Sequence, residues 1–429
     1  MRIGYACLTL GVPGTDLKDC LMKNASETRL RELISHNLGS LERMVDYNIQ
    51  SNIRLFRISS DIIPFASSPV NTVPWADEYA RQLDNIGQKI KDSGMRVSMH
   101  PGQYTVLNSP NTQTADNAVR ELEYHAQFLD SLGVDRTHKI ILHIGGVYGD
   151  KVDAKSRFCE RYQALSDQMK ARLVIENDDR CYHVQDALEI GLKCHIPVVY
   201  DNLHNQANPP PQKSSDSVWI AECAKTWQAT DGHQKIHYAQ GSISKKPGAH
   251  SLSVRAAAFL EFYHSLNPKP DIMLEVKDKN MSAVKCSLCT DSSRGIGALE
   301  QEWGRYKYLV LERSQHIYQQ IRQLLNNKAA YPAVEFYQLI ESALSMTADK
   351  GSAANAAAHV WGYFKDTATA KQKESFQQGL EGYLAGKTSL DSIKRKLYAM
   401  ALAHQEDYLL ESYYFIPDYV LESEKDKED

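Results

Sequence analysis

Over roughly the first two thirds of the chain, short apolar runs alternate with longer stretches in which apolar residues recur at helical spacing. The short runs occupy residues 2–6, 53–59, 96–100, 139–144, 172–176, 198–201, 235–239 and 271–276, and their length and continuity read as buried strands. Between them, Thr114 precedes a helical pattern that stops at Gly133, and Asp77 precedes one that stops at Gly94, which predicts capped helices. Repeated strand and helix alternation implies parallel strands joined by right-handed crossovers, and strands apolar along their whole length suit a sheet covered on both faces. Closure as a (β/α)8 TIM barrel explains both. An open doubly wound sheet is the alternative, but it would gather function at one switch point rather than around a ring.

Beyond residue 285 the pattern changes. The segment CSLCTDSSRGIGAL, 286–299, gains Ser and Gly and predicts a linker. Residues 300–422 carry helical patterns throughout, with Pro332 opening one helix and Ser389 capping another, and predict a helical accessory domain rich in Tyr. The acidic and basic end 423–429 predicts disorder.

Composition narrows the class. A chain of 429 residues and 48.4 kDa exceeds one ordinary core, consistent with a large domain over 1–285 followed by a smaller one. No h-region opens the chain and no apolar stretch approaches about 18 residues, so a cytoplasmic protein without a membrane partner is expected. The eight cysteines are scattered, and the lone CxxC pair, Cys286 and Cys289, has no second half, so local structural use is expected. Residues 1–285 carry 33 basic and 33 acidic side chains, which permits an anionic substrate without demanding one.

The chemistry sits at the strand ends. His100 follows RVSM, His143 follows KIIL, Glu176 follows RLVI, Asp201 follows PVVY, His237 follows Lys235 and Ile236, and Glu275 follows DIML. A barrel aims such groups at one mouth, and imidazole with carboxylate suits Zn, Mn or Fe. His204 and His250 add nitrogen ligands on the same side, enough for two or three ions. Such clusters serve phosphodiester hydrolysis, with Glu176 on a central strand as the expected bridge. Aldose isomerisation is the competing use, but it relies mainly on carboxylates, and five histidines favour hydrolysis. Two loops favour DNA over a sugar. PGQYTVLNSP presents Gln103 and Tyr104, an amide and a ring suited to entering a base stack, and GGVYGDK after His143 offers backbone amides to a phosphate.

FRISSDIIPFAS (56–67), RVSMHPGQYTVLNSP (96–110), LHIGGVYGDK (142–151), LVIENDDR (173–180), DNLHNQANP (201–209) and LEVKDKN (274–280) together resemble the UV damage endonuclease family, over about residues 2–285. The resemblance implies a TIM barrel related to the endonuclease IV type of abasic-site nuclease and a manganese-favouring cluster of up to three ions. It also implies incision of damaged double-stranded DNA immediately 5′ of a UV photoproduct, leaving 3′-hydroxyl and 5′-phosphate ends. Carried over by position, His100, His143 and Glu176 would hold one ion. Glu176, Asp201, His237 and Glu275 would hold a second, and His204 with His250 a third. Lys235 would act beside the cluster on phosphate or ligand water, Gln103 and Tyr104 would intrude at the lesion, and Tyr5 would share that face. No organic cofactor is implied, and a monomer is expected.

The chain departs from the family in one loop, where Ser67 and Ser68 stand before Pro69 in place of a frequent His, and Leu203 precedes His204 in place of a second His. A non-catalytic binding protein with decayed ligands is a third reading, and Ser68 is the one feature that hints at it.

Overall fold

The computed structural model describes residues 1–242 and 248–416. Eight parallel strands form one sheet: β1 (Ile3–Ala6), β2 (Leu55–Ile58), β3 (Arg96–Met99), β4 (Lys139–His143), β5 (Leu173–Glu176), β6 (Val198–Val199), β7 (Lys235–Tyr238) and β8 (Asp271–Leu274). The order β6-β5-β4-β3-β2-β1-β8-β7 runs once around a ring. A parallel bridge between Asp201 and His237, with the His237 amide donating to Tyr200 O at 2.9 Å, closes β6 on β7. The result is the expected (β/α)8 barrel.

A principal helix follows each strand on the outside: Glu27–Gln50, Ala80–Asp92, Thr112–Ser131, Lys151–Ala164, Val184–Cys194, Asp216–Ala224, Ala256–Ser265 and Asn280–Thr290. Two starts differ from expectation. Asn111, not Thr114, caps the third helix, its Oδ1 accepting the Thr114 amide at 2.9 Å. Asp77 lies inside a short turn, Trp75–Glu78, and its helix begins at Ala80.

Strand parity decides what faces the mouth. Ile3, Tyr5, Phe56, Ile58, Val97, Met99, Ile140, Leu142, Ile175, Ile236 and Leu274 belong to the main apolar core between sheet and helices. The alternate positions point into the barrel. There Ala6, Leu55 and Met273 form one small cluster and Ile141, Val174 and Val199 another. The rest of the interior is polar: Arg57, Arg96, Ser98, Lys139, Lys235 and Asp271 are all buried.

The expected linker is not one. Helix Asn280–Thr290 runs through both cysteines and helix Gly295–Arg313 begins after a single 3-10 turn, because Val284, Cys286, Leu288 and Leu299 all bury into the main core. Burial pushes the Cys286 thiol well up and the Cys289 thiol to about 12. Helix Gly295–Arg313 uses both faces: Leu299, Tyr306, Leu309 and Val310 join the barrel's core, while Tyr308 and Leu311 join a second core with Val360, Phe364, Ile393, Leu397 and Tyr414. Glu341 accepts from Lys285 Nζ at 3.0 Å and from the Ala256 amide at 2.9 Å, so the helical region is docked on the barrel. Residues 417–429, including the charged end expected at 423–429, lie outside the described residues. No helix among the described residues is long and apolar enough to cross a membrane.

Candidate metal centre

Inward parity carries His100, His143, Glu176, Asp201, His237 and Glu275 to the C-terminal mouth of the barrel, with His100 and His237 one inward step above the buried Ser98 and Lys235. Glu176 stands in the middle. Its Oε2 is 3.1 Å from His100 Nε2 and 3.8 Å from His143 Nε2, and its Oε1 is 2.8 Å from His237 Nδ1 and 3.6 Å from His204 Nδ1. Three groups have ligand atoms within 4.8 Å of one another: His100, His143 and Glu176; Glu176, Asp201 and His204; and Glu176, His237 and Glu275. Glu176 belongs to all three.

The grouping differs in detail from expectation. Asp201 also groups with His204, because Asp201 caps the short helix Asn202–Ala207 and its Oδ1 accepts the His204 amide at 2.7 Å, which folds His204 back over it. His250 does not pair with His204. It forms an antiparallel bridge with Gly241 and sits with its Nε2 3.8 Å from Glu275 Oε2.

Electrostatics follow the crowding. Burial opposes the ionised form of Glu176, yet His237, His100 and His143 outweigh it and hold the carboxyl well below the usual range. Burial together with the Glu176 and Glu275 charges raises Asp201 despite His204. Burial likewise opposes the charged form of His204, but Asp201, Glu176 and Glu275 hold it up at about 10. Asp201 Oδ2 and His237 Nε2 are buried without a hydrogen-bond partner among the described residues. Buried polar atoms left unpaired amid carboxylates and imidazoles are what divalent-ion ligation resolves, so the donor set fits metal ions.

The supporting residues were missed in the sequence. Arg57 forms an ion pair with Glu275, and inward parity with Leu55 on β2 was the available signal. Asn177, directly after Glu176, donates to Asp201 O at 3.0 Å and accepts the Asp201 amide at 2.9 Å, while its carbonyl lies 2.9 Å from His204 Nδ1. Ser60 donates to His100 O at 2.6 Å.

Two expected contacts are corrected. Tyr5 is fully buried on the outward parity of β1, its hydroxyl 2.5 Å from Thr9 Oγ1 and 2.9 Å from Asn48 Oδ1, so it cannot face DNA. Lys235 is 1% exposed beneath His237 and donates to Ser98 Oγ at 2.8 Å, which removes it from direct contact with a substrate; burial and the Arg96 and Arg57 charges push its ammonium well down. Gln103 and Tyr104 are exposed in the loop after β3, Tyr104 to 69%. Where a His was absent, the Ser67 hydroxyl instead bonds Glu121, and the Ser68 hydroxyl accepts the Val70 amide at 3.4 Å within a turn.

The family model described as UV-endonuclease UvdE matches residues 1–301. The chain belongs to that family. A UV DNA damage endonuclease of Clostridium perfringens (strain 13 / Type A) is 41% identical over 349 residues, 80% of this chain and 83% of the relative. One from Bacillus cereus (strain 03BB102) is 31% identical over 282 residues, 64% of this chain and 87% of the relative. The crystal structure of SacUVDE matches with a TM-score of 0.64 and 36% identity, covering 67% of this chain and 96% of that one. Membership makes the chain an endonuclease and sets aside both the isomerase and the non-catalytic alternatives. A second model, for a protein of unknown function (DUF1722), matches residues 307–418 and so begins inside the helix that joins the two cores.

Proposed function

We propose that this endonuclease incises damaged double-stranded DNA immediately 5′ of UV photoproducts, leaving 3′-hydroxyl and 5′-phosphate ends, with two or three divalent ions, manganese favoured, at the mouth. One observation carries this reading: a single buried carboxylate, Glu176, is common to three His and carboxylate groups on a barrel of that family. When bound, the ions supply Lewis acidity and activate water for in-line attack on the phosphate. His100, His143 and Glu176 would hold one ion and Glu176, His237 and Glu275 a second. Asp201, His204 and Glu176 would hold the third, with His250 beside Glu275. Arg57 orients Glu275, Asn177 orients Asp201 and Ser60 fixes the His100 backbone, so the ligands are set before substrate arrives. Lys235 acts as a positioning residue from below, through Ser98. Gln103 and Tyr104 enter the stack at the lesion, which a kinked and partly unstacked photoproduct permits more readily than sound duplex. The chain acts as a monomer in the cytoplasm and uses no organic cofactor.

The test is nicking of irradiated against unirradiated supercoiled plasmid, with added Mn and with chelator, followed by end analysis. Lesion-dependent nicking that chelator abolishes and that leaves ligatable ends is expected. Equal nicking of both plasmids, or nicking indifferent to chelator, refutes the reading.

A further inference from the structure

Seven non-glycine residues among those described have positive φ. Asn52, His195 and Gln405 lie one or two residues past helix C-termini, where that conformation closes the last turn. Cys7, Phe65, Tyr148 and Lys279 instead lie in loops after β1, β2, β4 and β8, around the mouth. Backbone strain held at a functional rim points to use. Of these four, Tyr148 (φ 51) presents a large ring to solvent, 44% exposed, and its hydroxyl makes no hydrogen bond among the described residues.

The loop that carries it is not loose. Val147 packs on the main core, the Asp150 amide donates to Val147 O at 3.1 Å, and Asp150 caps the following helix at Val152 and Asp153. Asn108, fully buried, belongs to the Gln103 and Tyr104 loop, yet its Nδ2 donates to Gly146 O at 2.8 Å and to Tyr182 Oη at 3.1 Å. Arg157 Nε donates to Asn108 O at 3.1 Å, while its guanidinium sits 5.9 Å from the Tyr148 ring. The two loops are therefore tied together. They begin at His100 and His143, whose rings are 4.9 Å apart. Each also folds a tyrosine over a glycine two residues earlier, Tyr104 over Gly102 and Tyr148 over Gly146, so that a Cβ on either glycine would crowd the ring.

We propose that Tyr148, backed by Arg157, is a second stacking subsite for a DNA base, so that Tyr104 and Tyr148 bracket the strand at the metal centre. An aromatic face stacks on any base, and a fixed ring does so with little ordering loss. This rests on the reading that the mouth takes damaged DNA.

The test uses the full chain loaded with Mn and a fluorescent duplex bearing one photoproduct. Tyr148→Asn removes the ring while placing at φ 51 a residue that tolerates that backbone. It is expected to hold or raise Tm and to weaken binding of the damaged duplex about tenfold. Tyr148→Phe, which keeps the ring, is expected to bind as the wild-type chain does. A ring that served only to close the loop would instead show a lowered Tm with unchanged duplex affinity. That result, or equal weakening by Phe and Asn, overturns the proposal. Wild-type chain that shows no lesion-dependent nicking removes the underlying reading and the proposal with it. Lesion-dependent wild-type nicking with undiminished affinity in Tyr148→Asn removes the second subsite alone.

Discussion

Replacing Glu176 by Gln preserves volume and removes the one charge shared by all three ligand groups. The carboxylate is 1% exposed in its side chain and accepts from His237 at 2.8 Å and His100 at 3.1 Å. Gln keeps one accepting oxygen and offers an N–H where the other oxygen stood, so one hydrogen bond to an ionised group is lost, about 2 kcal/mol. The sign follows from the carboxyl's depression well below its usual range: burial opposes the charge, and attraction to His237, His100 and His143 outweighs it. The catalytic effect is larger. Weakening every ion at once should forfeit about 4 kcal/mol of transition-state stabilisation, roughly a thousandfold in rate. Single-turnover incision of an irradiated duplex, with bound metal counted by elemental analysis and stability followed by urea unfolding, measures all three effects. A variant with the wild-type metal complement that incises within about tenfold of the wild-type rate refutes the shared-ligand argument.

Removing the Tyr104 ring with Tyr104→Ala should lower the ratio of nicking on irradiated over unirradiated plasmid by about tenfold, given what base stacking contributes; an unchanged ratio would put lesion recognition elsewhere. Glu341→Ala removes the carboxylate partner of the 4%-exposed Lys285 ammonium at the junction of barrel and helical region, leaving its bond to Ser253 Oγ, and a loss of about 2 kcal/mol in urea unfolding is expected. An unaltered midpoint would mean the two cores are held without that pair. At the opposite end of the barrel, burial holds His138 down at about 4, and its Nδ1 accepts the Val97 amide at 3.0 Å, a bond that protonation destroys. Because the folded value lies below the unfolded one, this contribution is intact above about pH 6.5 and fades as pH falls toward 4, removing about 2 kcal/mol by pH 5. His138→Asn should show a correspondingly smaller drop in unfolding free energy between pH 7.5 and 5; an identical drop refutes the linkage.

Much of the architecture was legible along the chain because each strand is short, apolar and bounded, and because buried strands of a parallel barrel resist other readings. The six strand-end ligands were legible for a related reason: a ligand at the top of a strand interrupts an apolar run with a His or carboxylate. Side-chain roles at the level of parity were less so. Tyr5 differs from Gly4 and Ala6 by one residue, and that single step turns it from the barrel interior to the helix layer. Arg57 went unnoticed because an Arg inside LFRI reads as a solvent-facing break, whereas the barrel buries it against Glu275. Ser and Gly at 292–297 signalled a linker, but apolar residues on either side of them were recruited to a core whose other half lies far away in sequence.

The sequence by itself determined the eight strands, their parallel order and the kinds of atom that each strand end offers, since these depend on local periodicity and on residue type. The tertiary structure alone decided which ligand shares space with which. His204 joins Asp201 through a helical cap, His250 stands by Glu275 through a bridge to Gly241, and Asp201 meets His237 only because the last strands close the ring. Convergence of groups separated by tens to more than a hundred residues is a property of barrel closure, and no local pattern encodes it.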